Sequence, residues 1–166
     1  MLRQGETGVS IPVDFVVNGE RYSVEVPPQE TLVELLRERL HLTGTKEGCG
    51  EGDCGTCMVL LDGHPVNSCL VLAADVQGRE VTTIEGLATE AGLHPLQQSF
   101  WEHDAIQCGF CAPGMIISAK ALLDEKPSAN DDEIKRALAG VLCRCGSYKK
   151  IIEAVKIAEQ AMRVGR

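Results

Sequence analysis

The sequence has no run of basic residues, no apolar stretch long enough to cross a bilayer, no internal repeat and no low-complexity segment. Each absence removes a class of function. With a formal charge of −8 and no clustered positive surface, a nucleic-acid partner is not expected, because phosphate recognition depends on grouped Lys and Arg. A membrane span needs about 20 apolar residues in a row, and the chain has none. Met1 to Ser10 contain neither the hydrophobic core of a secretory signal nor an Arg-Arg pair, so a cytoplasmic protein is the expectation. No nucleophile–base arrangement and no paired carboxylates stand out, so no catalytic residue is assigned. His41, His64, His94 and His103 are not spaced as metal ligands and read as surface or turn residues. Phe100 and Trp101 read as packing.

What remains is a globular composition, 44% hydrophobic and 24% charged over 166 residues, enough for one ordinary domain or two small ones. Val13, Phe15 and Val17 alternate with more polar positions, as do Tyr22, Val24 and Val26. Asn18-Gly19 between them suits a type I′ turn, whose central residues both need positive φ. Pro27-Pro28 ends the second strand. A helix is expected over about 31–40, with Thr31 as N-cap and Gly44 as a left-handed residue just past its end. After a glycine-rich loop at 46–57, a second hairpin runs out over Met58 to Leu61 and back over Val66 to Leu72. A last strand falls near 80–84. From there the pattern turns helical, at about 95–104, 113–124, 131–141 and 148–162. The reading is α+β in two domains, a mixed one over 1–84 and a helical one over 85–166.

Eight cysteines need an explanation in a compartment that keeps thiols reduced, and metal is preferred to disulfides there. Cys49-x4-Cys54-x2-Cys57 has the plant-type 2Fe–2S spacing, and the second hairpin returns Cys69 to the end where Cys57 starts. Gly48, Gly50, Gly52 and Gly55 let the backbone curl round a cluster and aim N–H groups at its sulfurs. Zinc is the rival ligand, although structural zinc usually shows two Cys-x2-Cys knuckles. The second set is Cys108-x2-Cys111 with Cys143-x-Cys145, each pair just before a helix whose positive dipole end would face an anionic centre. The literal Gly-x-Gly-x-x-Gly at 50–55 lies between a helix and a strand, the reverse of a dinucleotide fingerprint.

Three segments carry a resemblance: Gly48 to Cys57, Gln107 to Gly114 (Gln-Cys-Gly-Phe-Cys-Ala-Pro-Gly) and Leu142 to Tyr148 (Leu-Cys-Arg-Cys-Gly-Ser-Tyr). Together they resemble the iron–sulfur subunit of the xanthine oxidase family of molybdenum hydroxylases, over nearly the whole chain. The resemblance implies a β-grasp, plant-ferredoxin-like first domain and an all-α four-helix second domain. It implies two 2Fe–2S clusters, one on Cys49, Cys54, Cys57 and Cys69 and one on Cys108, Cys111, Cys143 and Cys145. It further implies electron transfer from molybdopterin on a large subunit to FAD on a medium subunit, in a dimer of heterotrimers. Gln107 and Cys145 match positions that approach the pterin in that family. Ala112 and Gly146-Ser147 depart from it, where Thr and Thr-Gly are common. The competing expectation is a free-standing two-cluster soluble ferredoxin.

Overall fold

The computed structural model describes residues 8–90 and 92–164; of the segment read for a secretory signal, Met1 to Thr7 lie outside them. Strand β1 (Ile11–Val17) pairs antiparallel with β2 (Glu20–Val26). Their turn has Asn18 at φ 53° and Gly19 at φ 85°, the positive pair a type I′ turn requires. Thr31 caps the following helix: its hydroxyl accepts the Glu34 N–H while Glu34 Oε2 accepts the Thr31 N–H at 2.9 Å, a reciprocal capping box. This helix is α-helical over Leu32–Glu34 (α1) and π-helical over Leu35–Arg39. The left-handed residue after it is His41, at φ 55°, not Gly44. Gly44 is glycine for another reason, since a Cβ there would lie 2.4 Å from Ile84 Cγ2.

Strands β3 (Met58–Leu61) and β4 (His64–Asn67) form the second hairpin, turning at Asp62-Gly63 with φ 50° and 81°. The return strand is shorter than its sequence pattern, because the chain tightens into a 3₁₀ turn over Ser68–Leu70. Strand β5 (Glu80–Thr82) lies between β1, to which it is parallel, and β3, to which it is antiparallel. The sheet order is β2-β1-β5-β3-β4. Helices α2 (Pro95–Glu102), α3 (Ala112–Glu125), α4 (Asp131–Leu138) and α5 (Tyr148–Val164) follow, close to the expected spans. The fold is thus α+β, and no described helix is long and apolar enough to cross a membrane.

Among the described residues two large apolar cores form, beside a small cluster of Val33, Cys57 and Cys69. One gathers Val13, Phe15, Leu32, Leu36, Val59 and Val81 between the sheet and α1. The other holds Leu96, Phe100, Met115, Ile134, Ile151 and Val155 among the helices, and Leu60 of β3 joins it. Phe100 is fully buried as expected, but Trp101 is 73% exposed. The helical half meets the loop before β3 where two glycines, Gly55 and Gly114, let backbones nearly touch. A Cβ on Gly55, whose φ is +66°, would lie 2.0 Å from the Gly140 carbonyl oxygen, and one on Gly114 would lie 2.7 Å from the Gly55 carbonyl.

Candidate metal centres

No cysteine is in a disulfide, and the structure sets them in neighbouring pairs, Cys49 with Cys54, Cys57 with Cys69, Cys108 with Cys145 and Cys111 with Cys143. Cys49 also acts on Cys69, and Cys108 on Cys111, so the pairs fall into two groups of four. In the first group Cys49 and Cys54 come from the glycine-rich loop, Cys57 from the residue before β3 and Cys69 from the 3₁₀ turn after β4. The hairpin register places Asn67 opposite Met58. Ser68 then locks the end of the hairpin, its N–H and hydroxyl both donating to the Cys57 carbonyl, at 3.3 and 2.6 Å. Cys57 and Cys69 are therefore adjacent and buried, 2% and 7% exposed, and they pack against Val33 of α1. Burial pushes the Cys69 thiol up to about 11, aided by the hydrogen bond its S–H donates to the Cys57 sulfur.

Cys49 is the opposite case. It is exposed, and its sulfur accepts the N–H groups of Glu51 and Cys54, each at 3.4 Å. Those donors, Glu51 first, bring its thiol down to about 7, as expected when fixed dipoles favour the thiolate. The loop is held by Asn67, whose Nδ2 donates to the Gly52 carbonyl at 2.9 Å, and Leu70 lies against Gly52. Cys54 Sγ lies 3.2 Å from Thr56 Oγ1.

The second group sits where α3 and α5 begin. Cys111 is the N-cap residue of α3, and Cys143 and Cys145 precede α5 by a short turn. Cys145 Sγ is 3.5 Å from Cys108 Sγ, and the Cys111 and Cys143 thiols hydrogen-bond each other. Cys111 is pushed up to about 12, chiefly by burial. Burial acts on Cys143 in the same direction, yet the Ser147 N–H, the hydrogen bond with Cys111 and the N–H groups of Cys145 and Gly146 together outweigh it and lower that thiol. Cys108 is lowered mainly by the Phe110 N–H. Tyr148 holds the turn by accepting the Cys143 N–H on its hydroxyl at 2.8 Å.

Gln107 is exposed beside Cys108, and its Nε2 donates to Ser147 Oγ at 2.8 Å. Sequence reasoning noted Ser147 only as a departure from a family pattern; its role as the partner of Gln107 depends on a contact forty residues away. Thr56, Asn67, Ser68 and Tyr148 were likewise missed. The signal was a small polar residue or Tyr close to each cysteine.

The donors fit 2Fe–2S clusters. Among the described residues no three His, Cys, Asp or Glu side chains converge as a single ion requires. The thiols meet two by two instead, which suits a centre that takes two thiolates on each iron better than one tetrahedral zinc. The two groups also touch. The Leu142 N–H donates to the Cys54 carbonyl at 2.9 Å, and Phe110 reaches the Gly48 position of the first loop.

Comparison with known proteins agrees with this geometry. Residues 15–88 match the family described as a 2Fe-2S iron-sulfur cluster binding domain, and residues 83–156 match a second 2Fe-2S binding domain family. The nicotinate dehydrogenase small FeS subunit of Eubacterium barkeri is 47% identical over 148 residues, 89% of this chain and 94% of that protein. The nicotine 6-hydroxylase small subunit of Paenarthrobacter nicotinovorans is 48% identical over 87% of each chain. Among solved structures, a chain of quinoline 2-oxidoreductase from Pseudomonas putida 86 superposes with a TM-score of 0.89 at 41% identity, covering 94% of this chain and 98% of that one. Two cysteine groups of this kind, on a scaffold shared along nearly its whole length with such subunits, show that the chain belongs to the electron-transferring iron–sulfur subunits of the xanthine oxidase family.

Proposed function

We propose that this chain relays electrons inside a cytoplasmic molybdenum hydroxylase complex, from molybdopterin on a large subunit to FAD on a medium subunit. The complex is a dimer of heterotrimers. Cys49, Cys54, Cys57 and Cys69 hold one 2Fe–2S cluster, and Cys108, Cys111, Cys143 and Cys145 hold the other. When bound, each cluster supplies a one-electron carrier. The domains divide near residue 84, into a β-grasp unit over 1–84 and a four-helix unit over 85–166. The observation that carries this reading is the pairing of eight thiols into two groups of four whose backbones are in direct contact.

The chain's own residues do three things in this scheme. Cys57, Cys69 and Cys143, which are buried, and half-buried Cys111 anchor each centre on its protein side. Cys49, Cys108 and Cys145 are exposed and form the outer edges, towards which partner subunits approach. Gln107 and Cys145 lie on the edge that meets the pterin, and Ser147 holds the Gln107 amide there. Relatives named for nicotinate, nicotine, quinoline and aldehydes fit a subunit that carries electrons and leaves substrate choice to its partner.

The test is to reduce the purified complex and record its paramagnetic signals. Two distinct signals are expected, with Cys57→Ser abolishing one and Cys143→Ser the other. A single signal, or both substitutions abolishing the same one, contradicts the assignment.

A further inference from the structure

We propose that Thr56 is a positioning residue for the first centre: its hydroxyl donates to the Cys54 sulfur and holds that centre at a higher reduction potential. The inference rests on the reading of Cys54 as a cluster ligand. Thr56 is buried, 4% exposed, and its Oγ1 faces two acceptors, the Lys46 carbonyl at 3.0 Å and Cys54 Sγ at 3.2 Å. A hydroxyl has one hydrogen. While Cys54 is a thiol it can donate to Thr56, and Thr56 can donate to Lys46. As a thiolate ligand Cys54 has no hydrogen, so the O···S hydrogen bond exists only if Thr56 is the donor.

The surroundings are built for that pair. A Cβ on Gly48 would lie 2.9 Å from Cys54 Sγ and 2.9 Å from Thr56 Oγ1, so a side chain there would intrude on the place where they meet. Phe110 Cε1, from the loop between Cys108 and Cys111, lies 3.4 Å from the same point. The hydroxyl itself is buried, and a hydrogen bond made from a part-buried site is electrostatically stronger than one in solvent. It strengthens as the sulfur becomes more negative, so it stabilises the reduced centre more than the oxidised one. This is the side on which the second group approaches, through Phe110 and through Leu142, whose N–H donates to the Cys54 carbonyl. Thr56 thus favours electron transfer from the second group to the first. One electron moves, the hydroxyl keeps its hydrogen, and no bond is made or broken.

The test uses the intact complex, with iron counted first and both midpoint potentials then titrated by paramagnetic resonance in wild type, Thr56→Ser and Thr56→Val. Cys57→Ser identifies the potential belonging to the first centre. Thr56→Val should lower that potential by about a tenfold change in the reduction equilibrium, ~59 mV for a one-electron couple. Thr56→Ser should keep it, and the second potential should stay put in both. An unchanged potential in Thr56→Val, or equal shifts in Val and Ser, overturns the proposal. If Thr56→Val loses the first centre, Thr56→Ala takes its place: a lowered first potential, with one exchangeable deuteron fewer coupled to that centre than in wild type and Thr56→Ser, supports the proposal, and an unchanged potential or an unchanged set of deuterons overturns it. An intact complex with only half the expected iron instead overturns the ligand reading on which the proposal stands.

Discussion

The two cysteine groups reach the same arrangement from unlike scaffolds. The first is a glycine-rich loop closed by a hairpin; the second is a pair of turns that enter α3 and α5. Each nonetheless has buried cysteines on its protein side and exposed ones outside: Cys57 and Cys69 against Cys49 in the first, Cys143 against Cys108 and Cys145 in the second. In both, the outer sulfurs are met by backbone N–H groups, from Glu51 and Cys54 in one and from Phe110 in the other. The two groups therefore solve one electrostatic problem. A loop without Cβ atoms and a helix entrance can each point donors at an anionic centre. The difference lies in what holds them. The loop depends on distant contacts with β4 and the helical half, whereas each turn is anchored by the helix it begins.

The largest expected effect tests that dependence. Gly55→Ala combines a positive φ with a Cβ 2.0 Å from the Gly140 carbonyl, so strain of about 1–2 kcal/mol adds to overpacking of about 1–3 kcal/mol. Gly63→Ala has a similar φ but open space around it and should cost only the strain, about 1–2 kcal/mol. Denaturant unfolding of the two variants should separate them clearly. Equal losses would mean that the contact between the halves contributes little.

Next comes Gln107→Ala, which leaves all eight thiols in place and removes the hydrogen bond to Ser147. On the proposed placement of Gln107 at the pterin edge, the hydrogen bond lost there as well should cost about 1–3 kcal/mol. In the complex this should slow reduction of the centres by substrate while reoxidation by flavin stays unchanged. Loss of a centre, or unaltered substrate-driven reduction, contradicts the placement of Gln107. Ser147→Ala should give a milder version, about 0.5–1.5 kcal/mol, since the amide remains but is no longer held. If it slows reduction as much as Gln107→Ala, orientation of the amide accounts for the whole effect.

The smallest effect is a pH dependence at the entry to the helical half. His94 caps α2, its Nδ1 accepting the Leu96 N–H at 3.2 Å. Burial lowers its basicity and nearby Lys120 does the same, while Asp124 opposes them. With its folded affinity for protons below its unfolded one, the unfolded chain binds more protons as the pH falls from about 6.5. Stability should therefore fall on acidification through that range and level off once the folded imidazole is itself protonated. His94→Asn, which can cap without titrating, should flatten this part of the profile in thermal melts at several pH values.

Local chemistry was legible in the sequence. Asn18-Gly19 made its turn, Thr31 made its cap, the helix spans fell nearly in place, and the cysteine spacings alone were enough to propose two groups. Contacts between distant residues were not legible. Gly44 was read as a helix-end residue, but it is small because Ile84 and Glu85 crowd it, and His41 takes the left-handed position. The turn at Ser68–Leu70, which sets Cys69 beside Cys57, interrupts what reads as a continuous strand. Trp101 shares the apolar pattern of its neighbours yet points outward, and His94 is a half-buried cap that read as a surface residue. Thr56 and Ser147 became meaningful only when Cys54 and Gln107 were seen beside them.

The central claim, two clusters on two groups of four thiolates, is tested most directly by metal analysis of the purified complex. About four iron atoms and about four acid-labile sulfides per copy of this chain are predicted. Each of Cys57→Ser and Cys143→Ser should remove about half of both. About two iron atoms per wild-type chain, or stoichiometric zinc, would contradict the account.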